Sequence, residues 1–213
     1  MFFEPPAAEE ETTRPSRPGL PAWYAPPAEE MGAVVVSGLV LARTPDVAVT
    51  LPTLQAFGNG CLMNVDIVLR RHTLSPGDFQ ALQLSVYPHM VGEVGADRLP
   101  DKLLRFGVRF AGGVKATTVG QSFDLTRLQR DPPPPPRLSL LLGGVSMRSG
   151  DDDAGVVTMG LWLWPSPPPE TFELAVKWPA AGIDLSITAL DGAAIASAAG
   201  RSLPYWPDSA PSD

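Results

Sequence analysis

Apolar and polar residues alternate along several stretches of the chain. Met63, Val65, Ile67 and Leu69 are interleaved with Asn64, Asp66, Val68 and Arg70. Leu104, Phe106, Val108 and Phe110 alternate with Arg105, Gly107 and Arg109. Phe172, Leu174, Val176 and Trp178 alternate with Glu173, Ala175 and Lys177, and Ile183, Leu185 and Ile187 with Asp184, Ser186 and Thr188. Successive side chains of a strand point to opposite faces, so each stretch predicts a strand with its apolar row towards a core and its polar row towards water. Residues 33–42 and 156–164 are apolar at almost every position, which predicts either central strands or strands covered on both faces. Residues 47–51 and 138–142 predict shorter strands.

The punctuation between these stretches fits the same picture. Gly112-Gly113 between Phe110 and Val114 predicts a hairpin. Residues 149–155 predict a longer hairpin loop, and Pro179 to Gly182 a short turn. Of the 25 prolines, nineteen fall in residues 5–27, 132–136, 165–169 and 204–211. Proline removes a ladder donor, so these clusters are tails and connectors. The run 132–136 predicts a stiff spacer crossing from one part of the fold to another. Asp191 is a cap for a short helix over 192–201, rich in alanine and closed by Gly200. Ser75-Pro76 opens a weaker helix over 77–84. The rest of 72–101 reads as an irregular insertion.

About nine strands with short connections predict an all-β fold, an antiparallel two-sheet β-sandwich in preference to a barrel, with a short C-terminal helix. A single domain is expected over 31–203. Residues 1–30 are expected to be a disordered, acidic, Pro-rich tail, and 204–213 a second tail.

Three phrases carry a resemblance. The first is Leu54 to Gly60 running into Met63 to Arg71. The second is Leu104 to Gly113 followed by Lys115-Ala116-Thr117. The third is Leu161 to Pro165 with Pro167 to Pro169, then Phe172 to Trp178, Gly182-Ile183, Asp191 to Ile195 and Trp206-Pro207. In this order, across roughly 33–207, they resemble a family of uncharacterised actinobacterial proteins. The resemblance implies a cytoplasmic β-rich domain with no assigned chemistry and transfers no catalytic residue. The family differs in often carrying an aromatic at the place of Cys61 and an acidic insertion at 72–101.

Charge sharpens the division between tails and body. The net charge is −7. Residues 1–30 hold six acids against two arginines, residues 31–203 fifteen acids against fourteen bases, and the last ten residues two acids. A near-neutral body offers no basic footprint for a phosphate backbone, so nucleic acid is not an expected partner. No apolar run is long enough to span a bilayer, and the acidic, Pro-broken start differs from a signal peptide. With one cysteine, Cys61, the expectation is a cytoplasmic protein without a membrane partner.

Candidate chemistry is sparse. Gly144 to Arg148 lacks the last glycine of a nucleophile elbow. Gly58-Asn59-Gly60 leads into a strand and reads as a turn, not a dinucleotide loop. Cys61, His72 and His89 lack paired metal-ligand spacing. Asp151, Asp152 and Asp153 could chelate calcium, but Trp162 stands where an EF-hand loop would need its bidentate Glu, and a solvated hairpin tip is the simpler reading. Trp162 and Trp164 share one face of their strand. If Leu161 and Leu163 face the core, the tryptophan pair forms a partner surface, unless Trp23-Tyr24 or Tyr205-Trp206-Pro207 folds back over it. Arg105 and Arg109 project together and either bind an anion or meet carboxylates such as Asp66 or Glu173.

The expected function is therefore that of a non-enzymatic domain acting through contacts with an unidentified protein or with itself, without a cofactor. Trp162, Trp164, Arg105 and Arg109 are its candidate binding residues. The alternatives are a pocket for a small ligand or substrate beside the sheets, drawing on Asp66, His72, His89, Arg105 and Arg109, or a structural subunit of a larger assembly.

Overall fold

A computed structural model describes residues 20–71, 73–87, 99–119, 133–149 and 154–206, with 142–149 described by their backbone alone. In chain order the strands are β1 (Glu30–Met31), β2 (Ala33–Arg43), β3 (Val47–Phe57), β4 (Gly60–Arg70), β5 (Arg105–Arg109), β6 (Lys115–Thr117), β7 (Arg137–Ser149), β8 (Ala154–Trp164), β9 (Thr171–Trp178), β10 (Ile183–Asp191) and β11 (Leu203–Pro204). Helix α1 spans Pro76–Ser85, between β4 and β5, and α2 spans Gly192–Ala199, after β10. The described structure is thus mostly β. No helix within it is long and apolar enough to cross a membrane.

Two antiparallel sheets dominate. One has five strands in the order β2-β3-β4-β8-β7, and the other has four in the order β10-β9-β5-β6. Their apolar rows join one core. Met63, Val65, Ile67 and Leu69 of β4 are fully buried, as are Leu161 and Leu163 of β8. Phe106 and Val108 of β5, and Phe172, Leu174, Val176 and Trp178 of β9, belong to the same cluster. The alternation in these three strands sets their inward rows directly.

Connections behave as their residues require. The β5–β6 hairpin closes through the Gly113 N–H donating to the Phe110 carbonyl at 2.8 Å, with Gly113 at φ 78°. From β6 the chain leaves the four-stranded sheet and enters the five-stranded one at β7, after the prolines of 133–136. After β8, the segment holding Pro165 to Pro169 returns it to β9. Helix α1 starts at the Ser75 side chain, which accepts from the Asp78 N–H at 3.1 Å, and buries Phe79 and Leu82. Asp191 caps α2 through the Ala194 N–H at 3.1 Å, and Ile195 and Ala198 enter the core. This helix stops at Ala199, two residues short of the predicted end.

Order begins earlier than the tail composition predicts. Trp23 is buried, the Tyr24 N–H donates to the Pro21 carbonyl, and β1 pairs with β11. Residues 20–30 therefore pack on the body of the fold, because apolar Trp23 and Ala25 have a sheet to cover. Leu203 and Pro204 pair as well, so the C-terminal tail does not begin at 204. Residues 1–19 and 207–213 lie outside the described residues.

Two strands depart from expectation. β2 is an edge strand, and its Val34, Val36 and Val40 are 55%, 80% and 47% exposed instead of covered. The other, β10, departs in phase. In β10, Ile183 is opposite Trp178 and Ser186 is opposite Val176, so two residues face Lys177 alone. This bulge adds one residue and reverses the faces of everything beyond it. Leu185 and Ile187, expected in the core, are 60% and 48% exposed. Ile183 and Leu190 are buried instead, and Ser186 points inward to donate to the Leu41 carbonyl at 2.6 Å.

Candidate interaction surface

The bulge gives the four-stranded sheet an unusual outer face. Pairing registers lay it out in three rows. The first holds Lys115, Arg109, Glu173 and Ala189. The middle row holds Thr117, Gly107, Ala175 and Ile187. The third holds Arg105 and Lys177, followed by Leu185 at the bulge. Gly107 and Ala175, both small, stand side by side in the middle row. The result is a trough of about 210 Å³ bounded by Arg109, Lys115, Thr117, Glu173, Leu185 and Ile187. A Cβ added at Gly107 would make only ordinary van der Waals contact, nearest to Thr117 at 3.4 Å, so glycine here keeps the floor low without any steric need for it.

Charges flank this trough. The Arg109 Nε donates to Glu173 Oε2 across the strands. That hydrogen bond, reinforced by charge attraction, raises the Arg109 guanidinium and holds the Glu173 carboxyl below its ordinary range. The expected pairing of Arg109 with a carboxylate is met by Glu173. Asp66 plays no part, because its Oδ1 accepts from the Thr158 hydroxyl at 2.6 Å in the other sheet. Arg105 turns towards the approach to its own strand, donating to the Pro100 carbonyl at 2.6 Å and the Leu99 carbonyl at 3.3 Å. Its Nε is buried without a hydrogen-bond partner among the described residues. Directly opposite Arg105 stands a second cation, Lys177.

The tryptophans occupy a different place. Leu161 and Leu163 face the core, which puts Trp162 on the outer face of the five-stranded sheet. Yet Trp162 is fully buried, so the open Trp162–Trp164 surface is corrected. The N-terminal segment lies over it, and the Trp162 indole N–H donates to the Ala22 carbonyl at 2.9 Å. Phe57 meets the indole edge to face at 5.6 Å. Gly60 lies against the indole, where a Cβ would come within 2.4 Å of ring carbons. Trp164 is half-buried opposite Arg137, whose Nε donates to the buried Ser139 hydroxyl at 2.9 Å. Burial lowers the Arg137 guanidinium from its ordinary range, and the Tyr24 phenol works in the opposite direction. Tyr205 and Trp206 are exposed and take no share in this cover.

The remaining candidates fall out in three ways. Cys61 is buried in β4, and burial pushes its thiol up to about 12, far from the reactive thiolate. His72, His89, Asp151, Asp152 and Asp153 lie outside the described residues. Among the described residues, no group of three or more His, Cys, Asp or Glu is placed to hold a metal. The residues that sequence reasoning passed over are Leu185, Ile187, Gly107 and Ala175. A small pair in adjacent strands was visible, but only the register reveals that the two share a row.

Searches against protein-family models, curated proteins and solved structures return no match to this chain.

Proposed function

We propose that the two sheets stack face to face as a β-sandwich and that the domain is non-enzymatic, acting through a protein contact on the outer face of the four-stranded sheet. The observation that carries this reading is the exposed pair Leu185 and Ile187 beside a trough floored by Gly107 and Ala175. Isolated exposed aliphatics are common on any protein. A bulge that moves two of them out of the core, onto the rim of a depression, makes a continuous apolar patch with ionic edges. That is the anatomy of an interface centre and rim.

The reading differs from one built on Trp162 and Trp164. Trp162 is already occupied by the chain's own N-terminal segment, so it belongs to the stability of the domain. The resemblance to actinobacterial β-rich proteins without assigned chemistry, and a cytoplasmic location, remain part of this proposal.

A photo-crosslinking residue at position 187, compared with one at exposed Lys102, tests it in extract from the native cell. Adducts are expected at 187, absent at 102, and lost when Leu185→Glu is added. Equal labelling at both positions, or labelling indifferent to Leu185→Glu, rejects the surface.

A further inference from the structure

We infer, resting on the surface just proposed, that its occupant is an acidic segment of a partner protein. The segment lies across the strands with one apolar side chain over Gly107 and Ala175. Three observations lead there. First, the trough runs along a row of the sheet, perpendicular to the strands, from Thr117 to Ile187. Four strands at about 4.8 Å spacing make this row about 14 Å long, the reach of four to five extended residues. Second, its floor is apolar and low only at the centre, which accepts one side chain.

Third, the rims are cationic. Lys115 stands at one rim and Lys177 beyond the other, with exposed Asp184 beside the bulge; Arg109 is balanced by Glu173, and Arg105 is turned away to the Pro100 and Leu99 carbonyls. Two of the chain's three lysines are thus on one face of a protein whose net charge is −7. Glu173 is taken by Arg109. Lys115 and Lys177 have no ion-pair partner among the described residues. Carboxylates on either side of an apolar anchor satisfy both rims. A basic or phosphate-spaced ligand does not, since the charge sits at the edges and the centre is apolar.

The test uses the full chain and the labelled peptide Glu-Glu-Leu-Phe-Glu-Glu, followed by fluorescence polarisation. Binding is expected to weaken as salt rises and to vanish for Lys-Lys-Leu-Phe-Lys-Lys. Lys177→Glu is expected to weaken it roughly fivefold, the scale of an exposed ion pair. Gly107→Val fills the trough in a residue type that suits a strand, so binding should be lost while the melting temperature holds or rises.

Equal binding of the basic peptide, or binding that survives Gly107→Val, overturns the inference. Tighter peptide binding by a chain lacking residues 1–19 would assign the face to this protein's own acidic N-terminus. A dimer in sedimentation that Ile187→Glu dissolves would assign it to a second copy. Either result rejects a partner's segment. If the peptide is silent but crosslinking at 187 still depends on Leu185, the acidic occupant falls and the proposed surface stands. If both are silent, the surface falls as well.

Discussion

The outer faces of the two sheets differ in what lies over them. On the five-stranded sheet, Trp162 is sealed by the segment around Ala22 and Trp23, and its indole N–H is satisfied by a backbone carbonyl. On the four-stranded sheet, Leu185 and Ile187 have no such cover among the described residues. Around Trp162 the first face is closed by a large aromatic, a facing Gly60 and a proline-rich segment, while Val34, Val36 and Val40 at its β2 edge stay exposed. The second needed only one extra residue in β10 to open it. An apolar side chain on a sheet is thus no guide to its role until the chain around it has been traced. The covered one supports the fold, and the uncovered one is free for contact.

This contrast can be broken most forcefully at its covered end. Trp162→Ser removes a fully buried indole and is expected to cost about 3–5 kcal/mol in denaturant unfolding. A cost under about 1 kcal/mol would show that the N-terminal cover contributes little. Next comes Cys61. Its folded thiol is raised to about 12 from 9.0, so folding favours the neutral form. The stability linked to this group is complete below about pH 9 and is lost as pH rises towards 12. Alkaline unfolding of Cys61→Ala should lack that part of the slope. Native protein should also resist thiol reagents at pH 8 until it unfolds.

On the open face the expected changes in stability are small. Ile187→Glu should stay within about 0.5 kcal/mol of the parent while removing crosslinking at neighbouring positions. A large drop in melting temperature would mean that Ile187 is packed after all. Smallest is Glu173→Gln. The Glu173 carboxyl is held low by Arg109, so its contribution is present above the ordinary carboxylate range and fades as pH falls through the lowered value. Both partners are exposed, so the shift in the acid midpoint should be slight and should shrink further in salt.

How far the sequence reaches follows the same division. The inward rows of β4, β5 and β9 were legible because strict alternation over each strand leaves only one way to bury the apolar set. The cap at Asp191 was legible because a side-chain acceptor there has few other uses, and Ser75-Pro76 marked the start of α1 because proline suits the first helical position. For Trp162 and Trp164, alternation fixed the shared face but not the cover, which is supplied by residues some 140 positions away. For Leu185 and Ile187 the same rule misled. A bulge leaves no mark when the residues involved, Asp184 and Leu185, are ordinary strand or turn residues. The pairing of Gly107 with Ala175 was hidden for a related reason, since it depends on strand order and register together.

The spacing of the two buried ends of β10 has a consequence of its own. Ile183 and Leu190 are seven positions apart, an odd number, and a strand that counts in twos cannot turn both to the same side. The surplus residue reconciles them, and Leu185 and Ile187 between them are presented outward as a by-product. A chain lacking Asp184 would have an even interval, with both ends still inside and Leu185 and Ile187 still outside. Length variation at this point should therefore leave the surface intact, while exchange of Ile183 or Leu190 for a polar residue would let the strand slide and turn its greasy side in.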